Sequence, residues 1–216
     1  MRTSTTFKIA ALLISQMLAG AASANLIRNG GFEERPVTEL YIPAGSTYMP
    51  GWTVINETIT QVHTNFYGGV SSSEGSQLLD LSGYYGRGGI KSDGFSTTVG
   101  NTYTVQFDLG AFSVTGTNVV LDVWVNNIKF TTFVNMLDPG KYSDWETKTF
   151  SFMATDALTS LSFSVSQDPS TNRAGVGLDN VIVTAGGTPT QVPEPGIAGL
   201  ALSGLLGMAW MRRRKK

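Results

Sequence analysis

Cysteine is absent from this chain, and histidine occurs once, at His63. The first absence removes disulfides, thiol nucleophiles and thiolate metal sites. Nothing in the sequence pairs that one histidine with a nucleophile and an orienting acid in a recognisable motif. Charge is also sparse, at 14% of residues. Residues 25–185 carry 15 acidic and eight basic side chains, a net charge near −7. Such a body repels nucleic acid and anionic membrane surfaces. No stretch of it shows a sustained helical period. The body must therefore build its core from strands, and it is long enough to do so without staples.

Strand patterning is what the body does have. Residues 103–109 alternate, with Tyr103, Val105, Phe107 and Leu109 on one side and Thr104, Gln106 and Asp108 on the other. Residues 121–126 alternate likewise and lead into an Asn126-Asn127 turn with a return strand over 128–134. Residues 161–166 are a third case. Further strands are predicted at 52–59, 77–82, 95–99, 146–153 and 177–184. Many antiparallel strands between Gly, Asn, Asp and Ser turns predict an all-β sandwich or barrel.

The two ends have a different character. Arg2 and Lys8, an apolar run over 9–18 and the small residues Ala22-Ser23-Ala24 read as a secretory signal peptide, 1–24, cut before Asn25. A linker at 186–191 leads to Val192-Pro193-Glu194-Pro195, then an apolar run over 197–211, then five cations at 212–216. The prolines keep the first part extended. An uncharged run with a basic end is the pattern of a transmembrane helix, its basic end in the cytoplasm. The run is short for a span of roughly 20 residues, and a buried core helix is the competing reading.

This three-part tail resembles the PEP-CTERM sorting signal, with Pro193-Glu194-Pro195 as its core. The resemblance implies a transient inner-membrane anchor processed by an exosortase-type enzyme in a Gram-negative bacterium that makes exopolysaccharide. The body resembles galactose-binding-like jelly rolls, including family 4/9-type carbohydrate-binding modules and the DUF642 group. The landmarks are Asn25-Leu26-Ile27-Arg28-Asn29-Gly30-Gly31-Phe32-Glu33, Gly51-Trp52, Gly75-Ser76-Gln77-Leu78-Leu79-Asp80-Leu81 and Gly177-Leu178-Asp179-Asn180-Val181-Ile182-Val183, in family order. The resemblance implies an antiparallel jelly-roll β-sandwich over 25–185, with Trp52 in its core. It also implies a structural calcium site at the paired terminal strands. The matching carboxylates are Glu33 and Asp179, with carbonyls of the Asn29-Gly30-Gly31 bend as further donors. The competing reading makes Glu33 a solvated turn residue and lets Asp179 bond loop amides.

Trp124 is the most informative aromatic for function. If Leu121, Val123 and Val125 face the core, Trp124 shares the other face with Asp122 and Asn126. An indole beside hydrogen-bonding groups suits a sugar, though a partly buried Trp under a loop has the same pattern. Gln106 and Asp108 are expected to point away from the core on a neighbouring strand. The Tyr84-Tyr85-Gly86-Arg87 stretch reads as a loop that either carries binding groups or is a plain Gly-rich turn. No pair among the 15 acids of the body is singled out as glycosidase carboxylates. The expectation is an exported, non-catalytic protein that binds exopolysaccharide in the matrix or at the cell surface. A structural matrix protein without a specific ligand and a polysaccharide-active enzyme are the alternatives.

Overall fold

The computed structural model describes residues 24–66, 69–83, 86–112, 119–135, 144–166 and 175–186. The predicted signal peptide, linker, sorting motif and transmembrane helix lie outside them, apart from Ala24 and Gly186. The strands are β1 (Glu39–Ile42), β2 (Trp52–Ile55), β3 (Ile59–His63), β4 (Gln77–Asp80), β5 (Gly89–Ser92), β6 (Phe95–Ser96), β7 (Thr102–Phe112), β8 (Val119–Val125), β9 (Ile128–Asn135), β10 (Asp144–Met153), β11 (Leu158–Thr159), β12 (Leu161–Val165) and β13 (Gly175–Ala185). No helix occurs among the described residues, so none there could cross a membrane.

All pairings are antiparallel. A six-stranded sheet runs β1-β3-β4-β13-β7-β10, and a five-stranded sheet runs β2-β5-β12-β8-β9. A short β11-β6 pair closes one end. The fold is an antiparallel jelly-roll β-sandwich.

Alternation builds the core. Val105, Phe107 and Leu109 of β7 are fully buried, as are Leu121 and Val123 of β8 and Leu161 and Phe163 of β12. Phe107 meets Phe163 across the layers, edge to face at 5.2 Å. Burying each such side chain is worth about 1.5–3 kcal/mol. Trp52 is core, as expected, between Phe32 at 5.7 Å and Phe163 at 6.3 Å. Its Nε1 donates to the Asn29 carbonyl at 3.0 Å. Gly51 makes room for this: its φ is +86°, and a Cβ there would sit 2.8 Å from the Arg28 carbonyl oxygen.

Local chemistry sets the breaks. Asn126 and Asn127 take φ of 49° and 65°, the left-handed pair that a tight hairpin turn requires. Asn56, at φ 65°, cuts the strand expected over 52–59 into β2 and the start of β3. The strand expected over 95–99 shrinks to β6, and Val99 is exposed. The opening segment is not a regular strand but is stitched to β13. Leu26 N donates to the Val183 carbonyl, and Val181 N to the Gly30 carbonyl, each at 2.9 Å. The Asn25 side chain bridges Val181 O at 3.0 Å and Val183 N at 2.8 Å, beside a bulge in β13 between Asp179 and Ile182.

Candidate binding face

With Leu121 and Val123 turned inward, β8 turns Asp122 and Trp124 outward. Their neighbours follow from register. On β12, Ser162 lies opposite Trp124 and Ser164 opposite Asp122. On β5, Lys91 lies opposite Ser162 and Gly89 opposite Ser164. On β9, Lys129 lies opposite Trp124 and Thr132 opposite Asp122. One cross-strand row of the five-stranded sheet therefore reads Lys91, Ser162, Trp124, Lys129.

Trp124 is half-buried. Its Nε1 donates to Ser164 Oγ at 3.2 Å. Ser164 is the diagonal neighbour, so this bond lays the indole across β12. Asp122 is mostly buried and accepts from Thr132 Oγ1 at 2.6 Å and from Lys129 Nζ at 2.8 Å. Burial pushes its carboxyl up, but hydrogen bonds from Lys129, Thr132 and Ser166 outweigh that and hold it below the usual range. Asp122 thus stays ionised and neutralises Lys129. Lys91 Nζ donates to Asn127 Oδ1 at 2.9 Å. The row offers a half-open aromatic surface and ammonium groups above the buried serines Ser162 and Ser164.

Residues 25–184 match the family described as a protein of unknown function, DUF642. The chain belongs to that family. Residues 191–215 match the PEP-CTERM protein-sorting motif, which implies export and sorting by an exosortase-type enzyme at the membrane. That match contains Val192, Pro193, Glu194 and Pro195. No curated protein matches the chain in sequence. Among solved structures, a CBM4 domain is 17% identical with a TM-score of 0.41, covering 74% of this chain and 99% of its own. CBM35 from Paenibacillus barcinonensis is 21% identical with a TM-score of 0.42, covering 69% and 99%. TmCBM61, solved with β-1,4-galactotriose, is 13% identical with a TM-score of 0.44, covering 76% and 99%.

In this DUF642 domain the expected site residues do not all meet. Gln106 and Asp108 do point away from the core, but β7 belongs to the six-stranded sheet. They therefore lie on the opposite outer surface from Trp124. The chain changes sheets between β7 and β8, and alternation alone does not distinguish that crossing from a hairpin. Asp108 accepts from Thr147 Oγ1 at 2.7 Å and Asn180 Nδ2 at 3.0 Å, which ties three strand segments together. Asn126 sits in the hairpin turn, where its side chain accepts from Ser160 N at 2.9 Å and donates to Asp156 at 3.1 Å. Arg87 is exposed at the far end of the five-stranded sheet, with its backbone N donating to Glu57 at 2.7 Å. Tyr84 and Tyr85 lie outside the described residues. Lys91, Lys129, Ser162 and Thr132 went unnoticed in the sequence. Only the outward serines of 161–166 carried a signal, through their alternation. His63 is exposed, and its Nδ1 sits 2.7 Å from the Thr64 carbonyl oxygen.

The two carboxylates expected at a calcium site do different work in the DUF642 domain. Asp179, fully buried, accepts from Ser73 N at 2.9 Å, Ser73 Oγ at 3.1 Å, Glu74 N at 3.1 Å and Asn180 N at 2.7 Å. Glu33 accepts from Ser76 N and Gln77 N, both at 2.6 Å, and from Ser76 Oγ at 2.9 Å. Gly75 permits this, since a Cβ there would fall 2.3 Å from Glu33 Oε1. The Asn29 and Gly30 carbonyls are taken by Trp52 Nε1 and Val181 N. A cation would find most of the lone pairs of both carboxylates already engaged by these donors. No group of three or more Asp, Glu, His or Cys gathers among the described residues. These residues do not fit calcium, which needs 6–8 oxygen ligands. They clamp residues 73–77. Burial pushes the Asp179 carboxyl up to about 7, against the bonds from Glu74, Asn180 and Ser73.

Proposed function

We propose that the exported DUF642 domain binds a polysaccharide on the outer face of its five-stranded sheet and does so without catalysis. The observation that carries this is the Trp124 indole, laid across β12 among serine hydroxyls and half open to water. A pyranose presents an apolar C–H face and a polar rim, and this row offers the complement of both. Asp122 shapes the face by fixing Lys129 rather than by reaching the ligand. The work of the domain is retention on exopolysaccharide at the cell surface or in the matrix of a Gram-negative host. Individually weak contacts, repeated along one polymer, give useful avidity.

The test is affinity electrophoresis of the purified protein in gels containing the host exopolysaccharide. Trp124→Ala is expected to weaken retention roughly 30-fold, the size of an aromatic hot spot of about 2 kcal/mol. Its melting temperature should change little. Undiminished retention of a folded Trp124→Ala variant would remove this face from consideration, and release of reducing sugar would refute the non-catalytic role.

A further inference from the structure

We propose that the polysaccharide taken on the Trp124 face is anionic, a carboxylate-bearing polymer, and that Lys91 is the group that reads its charge. This rests on the reading that the face binds glycan. Cations are scarce here, eight in residues 25–185, yet two stand in the single cross-strand row that holds Trp124.

The two lysines differ in what holds them. Lys129 is spent on Asp122 at 2.8 Å. Lys91 has no carboxylate partner among the described residues, and its Nζ is steadied by the neutral Asn127 Oδ1 at 2.9 Å. An ammonium held by an amide oxygen keeps its full charge and has donors left for a ligand. The residue between Lys91 and Trp124 is the small Ser162, so nothing tall separates ammonium from indole. Their backbones stand two strand spacings apart, about 10 Å. The bond to Asn127 carries the Lys91 ammonium back across β12 toward the turn that follows β8, within reach of a sugar unit next to the one on the indole.

The surrounding field sharpens this. At a net charge near −7, the body as a whole repels polyanions. Preference for an acidic polymer must therefore come from a local group.

The test measures binding of the purified protein to polygalacturonate and to alginate, each beside its carboxyl-reduced form. The expected result is about tenfold tighter binding to at least one carboxylated polymer than to its reduced form, a gap that narrows in about 0.5 M salt. Lys91→Met should close the gap, and Lys91→Arg should keep it. Equal binding of reduced and carboxylated polymers, abolished by Trp124→Ala, would overturn the anionic inference and leave the glycan face standing. A gap that survives in folded Lys91→Met would overturn the role of Lys91. Binding to none of the four polymers would overturn the anionic inference, and the glycan face would fall with it only if retention on the host exopolysaccharide were absent too.

Discussion

The two outer surfaces of the sandwich have the same strand alternation and opposite fates. Each carries an outward tryptophan. On the five-stranded sheet, Trp124 bonds only to a hydroxyl of its own sheet, Ser164, among the described residues. On the six-stranded sheet, Trp145 lies over Gly110, where a Cβ would come within 2.7 Å of its ring. Its Nε1 donates to the Ser71 carbonyl at 2.8 Å. It packs on Val62, Val70 and Leu78, a second small apolar cluster outside the main core. Asp179 and Glu33 then pin residues 73–77 beside it. Among the described residues, one tryptophan is tied to a segment of its own chain outside the sheet and the other is not. An outward aromatic therefore signals binding only when no segment of the same chain has claimed it.

The largest expected effect comes from removing a clamp on the Trp145 side. Asp179→Ala removes the acceptor of the Ser73, Glu74 and Asn180 amides, and a part-buried hydrogen bond to a carboxylate is worth about 1.5–3 kcal/mol. A loss of roughly 3 kcal/mol is expected in urea unfolding, with retention on polysaccharide unchanged at temperatures where the protein is folded. Trp145→Ala comes next. It uncovers Val62, Val70 and Leu78 and should cost about 2 kcal/mol, again without touching retention, the mirror image of Trp124→Ala.

A smaller effect lies in pH. Burial pushes Asp80 as well as Asp179 up to about 7. The folded state then holds more protons than the unfolded state between about pH 4 and 7, so stability falls as pH rises through that window. A melting temperature several degrees lower at pH 8 than at pH 5 is expected. Asp80→Asn, which keeps the acceptor for Ser82 N, should flatten part of that slope. Smallest of all is the response to calcium. Millimolar calcium should leave the melting curve unchanged, because hydrogens already point at both carboxylates. A stabilisation that disappears in Asp179→Asn would contradict this.

Much of the fold was legible from periodicity. The inward set Tyr103, Val105, Phe107 and Leu109 and the Asn126-Asn127 turn follow from period two and from the tolerance of Asn for positive φ. Trp124 was legible as outward for the same reason. Alternation tells a face from its reverse but not one sheet from the other, so it does not separate Gln106 and Asp108 from Trp124. β5 is too short, at four residues, to announce itself, and Lys91 went with it. The clamp of Asp179 on Ser73 spans 106 positions, beyond any local pattern. Family landmarks marked Asp179 as special, but its chemistry depends on which donors the fold brings to it.

The position of β13 has a bearing on how the sandwich is completed. It is the final described strand in the chain, yet it lies in the interior of its sheet, between β4 and β7. Asn25, at the very front, reaches its far end across 158 positions. The six-stranded sheet therefore cannot be completed until residues 175–185 are in place. Until then β4 and β7 lack the strand that joins them, and the two halves of the sheet stay unconnected.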